Sequence, residues 1–197
     1  MPKTLEFFFD LLSPYSYLAS TQVEAVCART GAALAWRPFL LGAVFKATEN
    51  ASPTANPFKA RYLFKDLARW AEHYRLPPIT YPDGFPFRVV DALRLVLVAV
   101  EQGKAGPFVH AAFHAIWAQG KDLSPVEELT ALLQQVGMEP GAAFARAGGA
   151  EIKDAVKRNG EEAVERGAFG APAFFVGEEM FVGNDRLSFV ERELART

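Results

Sequence analysis

Two serines three residues apart, Ser13 and Ser16 in the run Ser-Pro-Tyr-Ser, are the first residues that could do chemistry. Ser is a preferred helix N-cap, and Pro is favoured at the first helical position because its missing N–H has no intrahelical partner there. Ser13-Pro14 therefore predicts a helix start. A hydroxyl at that point sits among unpaired N–H groups and the positive end of the helix dipole, which favour negative charge. It can donate a hydrogen bond to an anion brought by another molecule, or it can simply cap the helix. A second place of interest is Gly170-Ala171-Pro172-Ala173-Phe174-Phe175, where a proline directly precedes an apolar strand pattern. Two other sets carry less. Cys27 is the only cysteine, so no internal disulfide or dithiol pair can form. Val23, Val26 and Ala28 around it suggest a core-facing helix, where a free cysteine behaves as a small hydrophobe. His110 and His114 have the i, i+4 spacing of a helical metal pair, but no third ligand accompanies them, so a structural role and no metal are expected.

The elements that must position these residues follow from pattern. Leu5 to Asp10, with three Phe, suits a strand buried on both faces. The helix from Pro14 should run to about Arg29, with Gly31 past its end, and Leu34 to Pro38 reads as a second, parallel strand. Leu40 to Asn56 lacks periodicity and is expected as a functional loop. Helical spacing follows over Phe58 to Tyr74, Val89 to Gln102, Pro107 to Gln119, Val126 to Val136, Gly141 to Ala147 and Ala150 to Arg166. Ala173 to Val176 and Glu179 to Val182 read as a hairpin, and Asn184-Asp185 as the cap of a last helix. The order β-α-β, helices, β-β-α is a thioredoxin-like α/β fold with a large all-helical insertion. The thioredoxin-like part would comprise 1–39 and 168–197, and the insertion, with the active-site loop, 40–167. In that fold a Cys-x-x-Cys motif occupies the place of Ser13 to Ser16, and a cis proline faces it. With hydroxyls there, dithiol exchange is lost, and the natural guest is an external thiol. Pro172 would leave the Ala171 backbone open to strand-like pairing with a short peptide.

Phe-Phe-Phe-Asp-Leu-Leu-Ser-Pro-Tyr-Ser-Tyr (7–17), Leu-Gly-Ala-Val-Phe-Lys-Ala-Thr (41–48), Lys-Ala-Arg-Tyr and Asp-Leu-Ala-Arg-Trp (within 59–70), and Gly-Ala-Phe-Gly-Ala-Pro-Ala-Phe-Phe-Val-Gly with Met-Phe-Val-Gly-Asn-Asp-Arg-Leu (within 167–187) resemble the 2-hydroxychromene-2-carboxylate isomerase family. Kappa-class glutathione transferases are near relatives. The resemblance implies glutathione as cofactor, with Ser13 holding its sulfur as thiolate beside Pro14 and Tyr15. It implies that Ala171, before a cis Pro172, pairs with the tripeptide backbone and that Asn184 and Asp185 take its γ-glutamyl end. Asn50 and Lys59 match positions near glutathione in the kappa class, and Lys46 with Asn56-Pro57 fall where the isomerases bind a carboxylate substrate. Without that match, Lys46 and Lys59 read as solvated charges, Asn184 and Asp185 as a cap, and Asn50 as a turn residue. Where the family pattern carries Asn in Phe-Pro-x-Asn, this chain has Arg88, which either meets a substrate carboxylate or marks a changed acceptor.

The implied activity is a glutathione-dependent cis-trans isomerisation of an aromatic carboxylate. Alternatives are a transferase that keeps the adduct and a non-catalytic thiol- or peptide-binding module, while a disulfide oxidoreductase lacks its cysteines. Half the residues are hydrophobic and the net charge is −2, which gives no field to gather nucleic acid. The 17 Phe suit a core, not a base-stacking platform. The most apolar stretch, Val89 to Val100, is interrupted by Asp91 and Arg94 and is too short to span a membrane. The amino-terminal residues lack an export signal pattern, so a cytoplasmic protein is expected. The resembling families suggest a homodimer.

Overall fold

The computed structural model describes residues 2–196, so Met1 and Thr197, the outer ends of the expected thioredoxin-like segments, lie outside the described residues. Its elements run β1 (Thr4–Phe9), α1 (Pro14–Thr30), β2 (Ala33–Pro38), α2 (Leu41–Ala47), α3 (Pro57–His73), α4 (Val90–Glu101), α5 (Ala105–Trp117), α6 (Val126–Gln135), α7 (Pro140–Ala147), α8 (Ala150–Glu165), β3 (Ala173–Val176), β4 (Glu179–Val182) and α9 (Leu187–Leu194). The thioredoxin-like fold with inserted helices is borne out. α1 ends on Gly31 at φ 68°, a left-handed cap that glycine adopts without Cβ strain.

The sheet has the order β2-β1-β3-β4. β1 pairs with β2 in parallel and with β3 antiparallel, and β3 pairs antiparallel with β4. The central β1 buries Phe7, Phe8 and Phe9 completely, because its alternating side chains meet packed layers on both sides. Phe7, Phe9 and Phe174 join Val23 of α1, Leu93 of α4 and Phe113 of α5 in one continuous cluster. On the other face Phe8 and Phe175 pack with Phe39, Ala163 and Ala168, and the Arg37 and Arg166 guanidinium groups lie over their rings at 5.0 and 3.8 Å. Among the described residues no helix is long and apolar enough to cross a membrane.

The stretch from 40 to 56 departs from the expected loop. It holds the seven-residue α2 and a single 3-10 turn, Pro53–Ala55. α2 is too short to display a helical period, and its N-cap residue, Leu40, makes no side-chain cap bond. The missing acceptor comes from Asp10, 31 residues earlier, whose Oδ2 accepts from the Leu41 N–H at 2.7 Å. A helix capped from another element leaves no local sequence signature.

Candidate active site

The site begins where β1 runs out. The chain turns through Asp10 to Leu12, held by the Ser13 N–H donating to the Asp10 carbonyl at 3.0 Å and the Leu12 N–H donating to Asp10 Oδ1 at 2.9 Å. Ser13 then adopts φ −96° and ψ 112°, the extended backbone of an N-cap, and its Oγ accepts from the Ser16 N–H at 3.1 Å. The same hydroxyl donates to the Ala171 carbonyl at 3.1 Å. Ala171–Pro172 is a cis peptide. The Pro172 carbonyl accepts from the Gly183 N–H at 2.9 Å, which ties the end of β4 to the same corner.

A second hydroxyl stands beside the first. Tyr15 donates to Asp66 Oδ2 on α3 at 2.8 Å, and Tyr62 donates to Oδ1 of the same carboxylate at 3.3 Å. Burial, and then Asp66, push the Tyr15 phenol far above its ordinary range. Its proton is committed to a carboxylate. Ser13 donates to a neutral carbonyl, a weaker partner, so it is the hydroxyl that can turn toward an incoming anion.

Ser13, Pro14 and Tyr15 form one wall of a cavity of about 270 Å³. α2 contributes Leu41 and Phe45 to its lining, the segment from Asn50 to Thr54 adds polar groups, and Tyr81, Phe85 and Phe169 add aromatic surface. Tyr81 and Phe85 pack edge-on against Trp117 at ring-centroid distances of 5.1 and 5.6 Å, and the Trp117 indole donates to the Leu11 carbonyl at 2.9 Å. Lys59 brings a cation to the lining. Asn50 is oriented by donation from Nδ2 to the Phe169 carbonyl at 2.9 Å and by acceptance at Oδ1 from the Ala51 N–H at 2.8 Å.

Of the sequence candidates, Ser13, Pro14, Tyr15, Asn50, Lys59 and Ala171 line this one cavity, with Pro172 buried behind Ala171. Six others stand outside its lining. Lys46 is exposed on α2, and Asn56 Oδ1 caps α3 by accepting from the Phe58 and Lys59 N–H groups, with Pro57 as the first helical residue. Arg88 is 69% exposed and paired with Asp91 at 2.9 Å. Asn184, buried, and Asp185, exposed, lie in a second 3-10 turn, Asn184–Arg186, so Arg186 and not the expected Asn184-Asp185 holds the N-cap position of α9. A Cβ on Gly183 would come within 2.5 Å of Asp185 Oδ1, and its φ of 104° also excludes ordinary side chains.

Pattern reasoning missed Asp10 and the aromatic wall. Asp10 is 2% exposed, and burial pushes its carboxyl up to about 6 against the lowering effect of the Leu12 and Leu41 N–H groups. Tyr81 and Phe85 belong to an irregular segment with no period to read. Cys27 is buried, as expected, and of the histidine pair His110 is half-buried and His114 exposed. Burial, and then Glu24, push the Cys27 thiol up to about 11. His110 is paired with Glu24 at 2.8 Å and packs edge-on against Trp36.

Comparison with known proteins matches residues 4–195 to the DSBA-like thioredoxin domain. The chain is 37% identical to a 2-hydroxychromene-2-carboxylate isomerase of Sphingobium xenophagum, covering 98% of this chain and 99% of that protein. It is 28% identical to glutathione S-transferase kappa 1 of Caenorhabditis elegans over 96% of this chain and 91% of the other. Among solved structures, a 2-hydroxychromene-2-carboxylate isomerase superposes with a TM-score of 0.88 at 27% identity, covering 98% of this chain and 95% of that one.

Proposed function

We propose that this chain, which belongs to the DSBA-like thioredoxin family and within it to the 2-hydroxychromene-2-carboxylate isomerases, uses glutathione to interconvert a cyclic chromene carboxylate and its open-chain trans-alkene pyruvate. Family membership makes it an isomerase; the cofactor, the substrate and the residue roles are our reading. The observation that carries it is the Ser13 hydroxyl, capping α1 while donating to the carbonyl just before cis Pro172.

The residues present fit a thiol tripeptide. A hydroxyl donor and the positive end of a 17-residue helix meet the sulfur, Lys59 and Asn50 offer a cation and an amide for its carboxylate and peptide groups, and the Ala171 backbone lies alongside. Glutathione, when bound, supplies a thiolate that adds reversibly to a conjugated alkene, leaves a single bond that rotates, and departs unchanged.

The chain's own part is electrostatic and steric. Ser13 swings its O–H from the Ala171 carbonyl to the bound sulfur, and the positive end of the α1 dipole lowers the cost of the charge. Tyr15 stays neutral and acts as a fixed wall. Leu41, Phe45, Tyr81 and Phe85 exclude water and hold the flat acceptor. In this reading the thioredoxin-like segments 1–39 and 168–197 hold the sulfur, and the insertion 40–167 shapes the acceptor side. Asn184 and Asp185 take the γ-glutamyl end next to Val182. Lys46, Asn56, Pro57 and Arg88 contribute only if a bound substrate extends past the cavity rim. A second copy of the chain covers the exposed aromatic face of α3, where Phe58 and Tyr62, one turn apart, are 81% and 62% exposed.

The test is turnover of 2-hydroxychromene-2-carboxylate with and without glutathione, with the thiol counted before and after. The reading expects isomerisation only when glutathione is present and full recovery of the thiol. Accumulation of a stable adduct would make the protein a transferase instead. Turnover independent of glutathione would end the proposal.

A further inference from the structure

Asp10 is a buried carboxylate that none of the roles above uses. It stands directly after β1, and its two oxygens are spent in two directions. Oδ1 accepts from the Leu12 N–H at 2.9 Å, on the turn that presents Ser13, and Oδ2 accepts from the Leu41 N–H at 2.7 Å, at the first residue of α2. Leu12 and Ser13, on the turn after β1, and Leu41 and Phe45, one helical turn apart on α2, all line the cavity. One side chain therefore spans both walls. Ionised, it offers an acceptor to each N–H. An amide in its place offers one oxygen and one NH₂ group, which is a donor only.

We infer that Asp10 is a positioning residue for the isomerisation, fixing the spacing between the wall that carries Ser13 and the α2 wall that holds the substrate. This deepens the function proposed above and rests on it. Burying a carboxylate for this purpose is costly, and a pair of N–H groups beside water would need no such partner. What the charge gives in return is a unique geometry: a short helix with no cap of its own is pinned to the strand end that also sets the Ser13 turn.

The bond to Leu41 can be cut from either end. In Asp10→Asn the remaining oxygen keeps the local bond to Leu12, two residues on, which is the arrangement Asn favours in turns, and the NH₂ faces the Leu41 N–H. Leu41→Pro removes the same bond from the other end. Proline suits the first helical position, and Leu40, at φ −87° and ψ 107°, is already near the conformation required before a proline. Leu41→Ala, which loses the side chain but keeps the N–H, is the control.

Steady-state kinetics should show the KM for 2-hydroxychromene-2-carboxylate rising about tenfold in D10N, and equally in L41P relative to L41A, the scale of one lost bond to a charged group. The double variant D10N/L41P should be no worse than the weaker single, since both cut one interaction. Glutathione affinity and the ultraviolet thiolate band of the bound cofactor should stay within about twofold of wild type, which a general loosening of the fold would not spare. Additive effects, a thiolate band that falls in step with turnover, or unchanged KM in both singles would each overturn the inference. If D10N does not fold, the comparison of L41P with L41A decides alone. A wild-type protein with neither thiolate band nor turnover would instead overturn the function on which the inference rests.

Discussion

Replacing Ser13 by Ala removes one oxygen with two duties, and the two can be measured apart. As a cap, Oγ accepts from the Ser16 N–H at 3.1 Å; losing such a cap costs about 1 kcal/mol, or about 2–4 °C in Tm for a chain of this size. As a donor it is held 3.1 Å from the Ala171 carbonyl, ready to turn to a bound sulfur. A hydrogen bond to a charged group is worth about 1.5–3 kcal/mol, and one pKa unit corresponds to about 1.4 kcal/mol. The bound thiol should therefore titrate about 1–2 units higher in the variant. Glutathione should still bind, because Lys59, Asn50 and the Ala171 backbone remain. The assay is ultraviolet absorbance of the thiolate across a pH series at saturating glutathione, alongside turnover. Below both titration midpoints turnover should fall about 10–100-fold, in proportion to thiolate. A midpoint equal to that of wild type, with turnover reduced, would mean that Ser13 does not hold the sulfur and would refute the reasoning.

Other outcomes follow from the same geometry. Lys59→Ala should weaken glutathione binding about fivefold, since an exposed ion pair is worth up to about 1 kcal/mol, while Arg88→Ala, outside the cavity lining and paired with Asp91, should leave substrate KM unchanged; calorimetry and kinetics check the two. Asp10 rises on folding from 3.8 to about 6, so the folded state holds its proton more tightly; the associated stability is fully present below the unfolded value and is lost as pH rises through 6, amounting to about 3 kcal/mol at most. Denaturant midpoints between pH 4 and 7 should slope less in Asp10→Asn than in wild type, and parallel slopes would argue against a buried titrating Asp10. Phe58→Glu, on the exposed face of α3, should shift the sedimentation coefficient toward that of a single chain, and an unchanged value would remove that face from any dimer contact.

Much of the fold could be read from the residues because its signals are local. The Ser13-Pro14 start, Gly31 as a left-handed stop, the apolar β1 and the Gly177-Glu178 hairpin are each set by one or two residues acting on their own backbone, and the long helices of the insertion repeat their pattern often enough to be found within two residues of their ends. The Ser13 hydroxyl, the proposed catalytic group, belongs to the same class, since an N-cap is defined by its immediate neighbours.

The rest of the site depends on groups far apart in the chain. Ser13 meets Ala171 across 158 residues, Tyr15 meets Asp66 across 51, and Asp10 reaches Leu41 across 31. By itself the sequence determined, to within a residue or two, where β1, α1, β2 and the long helices of the insertion begin and end, and that a hydroxyl would stand at the head of α1. Only the tertiary structure decided which of two hydroxyls keeps a free proton, that α2 exists at all, and which cations face the cavity. Hydrogen-bond acceptors and buried walls from other elements set those outcomes, and no local pattern encodes a partner that packing alone brings within 3 Å.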